Sequence, residues 1–231
     1  MRFARSTAFA LPLWLCGATL ALAHGDVAPQ PVDTEGLPEL GEEWLTENPY
    51  RAAAAGDEVW AKAVEIGASG YNQNCARCHG LEVVSGGLAP DLRFLEAEEY
   101  GDEWYVERFR NGYTQNGTTK MPAFGELLGQ EAAWAIRTYI ETRPDDYAMR
   151  DFADELKALR DQFEGYATDA SGADTAAILA RLGEISEGIT TISGAPVADS
   201  IAYRAIGMID GSPEGYAKAA ETFTIGLSAA N

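Results

Sequence analysis

Cys75-Ala76-Arg77-Cys78-His79 places two thiols and an imidazole within five residues. Two cysteines three apart on a helical turn share one face, so both sulfurs can reach the vinyl groups along one porphyrin edge. His79 lies about 100° further round the helix, where its imidazole can swing under the macrocycle and bind iron. C-x-x-C-H is accordingly the attachment signature of c-type haem. Two other chemistries compete for these residues. A structural zinc site wants four protein ligands, and the chain's other Cys and His, Cys16 and His24, lie in or beside its N-terminal leader. A thioredoxin-type dithiol wants a βαβ setting, and the flanking sequence has no such pattern. The expected cofactor is one covalently attached haem c, tethered through Cys75 and Cys78 with His79 as an axial iron ligand.

The elements that must position this motif begin after a disposable start. Arg2 and Arg5 precede an apolar run from Phe9 to Leu22, and Ala21-Leu22-Ala23 gives a small-x-small cleavage pattern. Residues 1–23 are read as a secretory signal, which predicts a periplasmic protein. An uncleaved anchor is the alternative, although the run is short for a full span. Bulky Leu15 argues against lipidation at Cys16, and no later apolar stretch is long enough to cross a membrane. Without the leader only Cys75 and Cys78 remain, both claimed by haem, so no disulfide is expected despite an oxidising compartment. The chain has 17 basic and 36 acidic residues; losing Arg2 and Arg5 leaves 15 against 36, a net charge of −21. That argues against nucleic acid and anionic lipid as partners. It suits long-range steering toward a partner, or solubility alone.

Residues 24–55, with Pro29, Pro31, Pro38 and Pro49 and interleaved acids, read as an extended leader rather than a packed element; Trp44 could dock it. A copper site at the His24 terminus lacks a second free histidine. From Gly56 the pattern is helical, with Asp57 as a cap and Val59, Trp60, Ala63 and Ile66 on one face. Gly67 and Gly70 are expected to close that helix before the Cys-His motif. Gly80 to Pro90 reads as loop, Glu103 to Asn111 as helix, Thr114 to Thr119 as polar loop leading to Met121-Pro122, and Gln130 to Arg143 as a third helix ended by Pro144. Asp145-Asp146 mark the boundary of a domain spanning 56–146. Residues 147–231 then show apolar stripes (Phe152, Leu156, Leu159, Phe163; Ile178, Leu182, Ile185, Ile189; Val197, Ile201, Ala205, Met208; Tyr216, Ala220, Phe223). With caps at Asp174 and Ser212-Pro213 they read as about four short helices. Structural packing is the favoured role for them, ahead of a docking or dimerisation surface.

A soft thioether suits ferrous iron in a low-spin carrier, and Met/His ligation raises the reduction potential. Met121 lies 42 residues after His79 in a loop, followed by Pro122, whereas Met149 and Met208 sit in amphipathic helical surroundings where methionine usually packs. Met121 is therefore the expected sixth ligand.

The order helix, C-x-x-C-H, loop, helix, Met-bearing loop, helix resembles a class I cytochrome c, an all-α fold, here followed by the C-terminal extension. That resemblance implies that Pro90 offers its carbonyl to the Nδ1–H of the axial His79. His24-Gly25-Asp26-Val27, Gly41-Glu42-Glu43-Trp44, Asn48-Pro49-Tyr50-Arg51 and Met121-Pro122-Ala123-Phe124-Gly125 extend it. They resemble the soluble PedF/XoxG-type cytochromes that accept electrons from pyrroloquinoline quinone (PQQ)-dependent alcohol and methanol dehydrogenases. The resemblance implies a non-enzymatic shuttle of single electrons from such a dehydrogenase to a terminal oxidase or another cytochrome. The residues leave two rivals: an open-site haem enzyme or gas sensor, and a cytochrome subunit fixed in a larger redox complex.

Overall fold

The structure is a computed structural model describing residues 29–198 and 200–229, without the side chains of Ser228 and Ala229. The expected signal peptide, Cys16 and His24 lie outside the described residues.

Helices α1 (Ala52–Ala55), α2 (Asp57–Asn74), α3 (Ala76–His79), α4 (Glu99–Asn111) and α5 (Gly125–Glu141) gather around one core that includes Tyr71, Phe109, Trp134 and Tyr139. Asp57 stands inside α2 and Gly56 takes the cap position, with no side-chain cap bond. The expectation that Gly67 and Gly70 close this helix is overturned, since α2 runs on to Asn74. A Cβ at Gly67 would collide with the carbonyl oxygen of Ala135, and one at Gly70 would press on Ile136 and Val32 at 3.1 Å. These glycines let α2 and α5 cross with backbone almost on backbone, against a propensity cost of about 1 kcal/mol each. The Tyr71 and Tyr139 rings pack beside the crossing at 5.4 Å. Gly129 (φ 77°) interrupts α5; beyond it, every residue from Ala132 to Glu141 is buried.

Two further expectations need correction. The polar loop after α4 is a hairpin of β1 (Tyr113–Gln115) and β2 (Thr118–Met121). Asn116 and Gly117 both take positive φ at its tip, the geometry that an Asn-Gly pair favours. From Pro29 to Tyr50 the leader has no helix or strand, as expected, yet it is tied to the domain, and its last residues form α1. Gln130 donates to the carbonyls of Gly41 (2.6 Å) and Glu43 (3.0 Å) and accepts from the Leu45 amide. Glu131 accepts from the Leu40 amide, Tyr50 donates to the Pro38 carbonyl, and Trp44 rests against Phe109. Side chains of α5 thus satisfy backbone groups that no strand or helix serves.

Beneath the leader lies a buried charge cluster. Arg51 bonds Asp102 (2.8 Å) and Glu141 (2.9 Å), and Arg137 bonds Asp102 at 2.9 Å. Two cations meet two carboxylates, so no net charge is buried, as such a site requires. Burial pushes the Glu141 carboxyl up, against the pull of Arg51 and Arg137.

The C-terminal residues form a second core rather than merging with the first. Helices α7 (Ala153–Tyr166), α8 (Thr175–Gly188), α9 (Ile201–Ile206) and α10 (Pro213–Ala229) bury Phe163, Leu182, Ile185, Ala205, Tyr216 and Phe223. The caps expected at Asp174 and Ser212 accept from the amides of Ala177 and Gly215. A short α6 (Asp146–Asp151) makes the set five among the described residues, not four. The seam between the cores is polar: the Asp145 amide donates to Thr190, Ala97 to Ser193, and Pro144 bridges Thr191. Among the described residues no helix is long and apolar enough to cross a membrane.

Candidate haem site

Cys75 breaks the helix direction between α2 and α3 (φ −114°, ψ −38°), and its carbonyl accepts from the amides of Cys78 (3.1 Å) and His79 (3.0 Å). One turn therefore carries both thiols and the imidazole. Both cysteines are free, Cys75 half-buried and Cys78 exposed. Burial and the neighbouring Cys78 push the Cys75 thiol up to about 12. Gly80 ends the turn at φ 85°, where a Cβ would strike the Val84 carbonyl oxygen, and Tyr71 Oη donates to the Gly80 carbonyl at 2.8 Å.

His79 is 9 % exposed, and its Nδ1 lies 2.9 Å from the Pro90 carbonyl. A carbonyl only accepts, so Nδ1 carries the proton and Nε2 keeps its lone pair. Burial lowers the affinity of the ring for a second proton, partly offset by Pro90 and Asp91. A neutral imidazole with Nε2 available is the form that binds a metal.

Met121 ends β2, half-buried, and packs with Cys75 against the first core. Its backbone is fixed from behind: a Cβ at Gly112 (φ 67°) would meet Met121 O at 2.5 Å, and the Phe124 amide donates to Phe109. Met149 packs against the second core, and Met208 Sδ accepts from Thr222 Oγ1 at 3.2 Å.

A tethered porphyrin fits this donor set. Two unpaired thiols and a neutral imidazole share a turn, and Leu81, Leu88 and Phe94, each over two-thirds exposed, supply apolar surface in the loop that follows. Sequence reasoning did not single out Tyr71, which props the end of the motif and reads as an ordinary core position of α2. Trp134, at helical spacing in the third helix of the sequence reading, is fully buried, and its Nε1 has no hydrogen-bond partner among the described residues. A groove of about 700 Å³ lies elsewhere, between α8, α9 and the 190–197 segment, far in sequence from the motif.

The chain is 58% identical over 125 residues to cytochrome c550 of Pseudomonas aeruginosa, a match covering 54% of this chain and 84% of that protein. It belongs to the class I c-type cytochromes. As such it is an electron-transfer protein with a covalently bound haem c. Within this cytochrome, residues 62–140 match the family model described as cytochrome c oxidase, cbb3-type, subunit III. Weaker likenesses cover the cytochrome-like part of much larger proteins. Quinohemoprotein alcohol dehydrogenase ADH-IIG of Pseudomonas putida is 33% identical over 84 residues, 36% of this chain and 11% of that one. The dehydrogenase subunit of the quinone alcohol dehydrogenase of Gluconobacter oxydans is 33% identical over 88 residues, 38% and 11%. No solved structure matches.

Proposed function

We propose that this cytochrome shuttles single electrons in the periplasm, from a PQQ-dependent alcohol dehydrogenase to a terminal oxidase or another cytochrome. Cys75 and Cys78 would form the thioethers, His79 Nε2 and Met121 Sδ would ligate the iron, and the Pro90 carbonyl would orient His79. The carrying observation is the single turn that offers both thiols while the His79 Nδ1 is spent on Pro90. Haem supplies a ferrous/ferric couple in which no bond to substrate is made. The protein holds the ligands through changes of charge, keeps the imidazole neutral, and limits water by burying His79. Residues 1–23 act as the signal peptide, 24–55 as a leader bound to the haem domain (56–146), and 147–231 as an added helical unit. The dehydrogenase donor is supported by the likeness to quinohemoprotein alcohol dehydrogenases and by the leader motifs.

The test is to mix oxidised protein with a PQQ alcohol dehydrogenase and an alcohol and follow haem reduction as salt is raised. Fast reduction that slows with salt supports both donor and steered encounter. A normal Met-ligated spectrum without reduction removes the dehydrogenase and leaves the carrier. A second reading, a cytochrome fixed in an oxidase-like complex, is favoured by the family model's description; co-purification of such a complex at high salt would decide for it.

A further inference from the structure

We propose that the C-terminal helices act on the axial ligand: they clamp the 80–94 loop so that the Pro90 carbonyl stays on His79 Nδ1. The inference rests on His79 as iron ligand. The loop has bonds of its own, Ser85 Oγ donating to the Ala89 carbonyl among them, but its backbone is strained near its start. Glu82 and Val83 both sit in the left-handed region (φ 54° and 67°), and for a β-branched residue this is a true outlier. Such residues cost about 1–3 kcal/mol each and persist where surroundings over-determine them. Val83 is fully buried in the first core. Glu82 is held from the other side, by Arg143 Nη1 at 2.6 Å and Arg204 Nη2 of α9 at 3.7 Å. Arg143 is itself buried, its guanidinium 4.3 Å from the Tyr139 ring centre.

The far end of the loop is pinned in the same manner. Asp91, next to Pro90, accepts from the Arg93 amide and from Arg93 Nε and Nη2, and Arg93 Nη1 pairs with Asp146 of α6 at 3.0 Å. Pro90 is thus bracketed by two ionic clusters that reach the C-terminal helices, one through Arg204 of α9 beside Arg143 and one through Asp146 of α6. A carbonyl held on Nδ1–H makes the imidazole a better donor, which favours the oxidised iron. Loosening either bracket should weaken that bond and shift the couple toward the reduced form.

Glu82→Gln, Asp146→Asn and Arg204→Gln, made in the holoprotein, test this by equilibrium redox titration and by exchange of the His79 Nδ1–H, followed by NMR in the reduced state. All three should raise the reduced-to-oxidised ratio at fixed ambient potential, by about threefold to tenfold, tenfold being 59 mV for one electron. All three should also speed Nδ1–H exchange, and Arg204→Lys should restore both. Arg181→Gln, which breaks a pair to Glu155 between α7 and α8, should move neither. Removing the cation Arg204 and removing the two anions would shift the ratio in opposite directions if charge acted only through space. That outcome with unchanged exchange overturns the clamp, as does no change in any variant. A wild-type spectrum lacking His/Met ligation would instead overturn the ligand reading, before any variant is made.

Discussion

At the residue scale, Met121 and Asp91 are held by different forces, and each predicts its own loss. Met121 owes its place to backbone packing behind it, at Gly112 and Phe124, so removing its side chain leaves the loop in position. Met121→Ala is expected to fold, to bind added imidazole or cyanide at iron, and to fall in potential because the thioether is gone. Visible spectroscopy and redox titration check this, with Met149→Ala and Met208→Ala unchanged. Asp91 is held by charge. Burial alone would raise its pKa from 3.8, but the fork and amide of Arg93 bring it below that value. A depressed folded-state pKa gives stability that is complete above 3.8 and lost as pH falls through the lower value. Asp91→Asn should cost about 1.5–3 kcal/mol near neutrality, and its unfolding midpoint should fall less steeply below pH 3.8 than the wild type's. The ligand residues were legible because attaching one porphyrin fixes residue types at short spacing. The Arg51–Asp102–Arg137–Glu141 cluster was not, because the bonds of Asp102 to Arg137 and of Arg51 to Glu141 span 35 and 90 residues and each member reads alone as a surface charge.

At the scale of elements, glycines that look alike in sequence do opposite things. Gly67 meets the Ala135 backbone, which cannot yield as a side-chain tip can. Gly67→Ala should therefore lose more from overpacking, about 1–3 kcal/mol, than helix propensity returns, and should separate α2 from α5. Gly183, inside α8 with nothing within 4 Å of its Cβ position, should gain about 0.5–1 kcal/mol as alanine. Paired denaturant titrations would check the two signs. Helix α5 was readable from its apolar period; the role of Gly67 was not, since its partner is contributed by another helix. The hairpin carried its own signal in Asn116-Gly117, masked by polar side chains that are exposed on both faces.

At the scale of the molecule, two separate cores meet across a polar seam. Leu182 is fully buried in the second core, and Leu182→Ala is expected to cost about 2–5 kcal/mol. Hydrogen exchange should show that loss in α7 to α10 first, before the haem absorption changes on heating. The apolar stripes revealed the helices of this unit, whereas the ion pairs joining it to the loop after His79 cross too much sequence to be read.

The dependence of the leader and α2 on α5 also sets an order of events in time. A nascent chain that ends before Gly125 has nothing for Gly67 to cross and no Gln130 or Glu131 for the leader's backbone groups. Until then Cys75, Cys78 and His79 belong to an unfinished chain whose thiols stand open. Haem has its freest access in that interval, and the arrival of α5 closes the core over what has been attached.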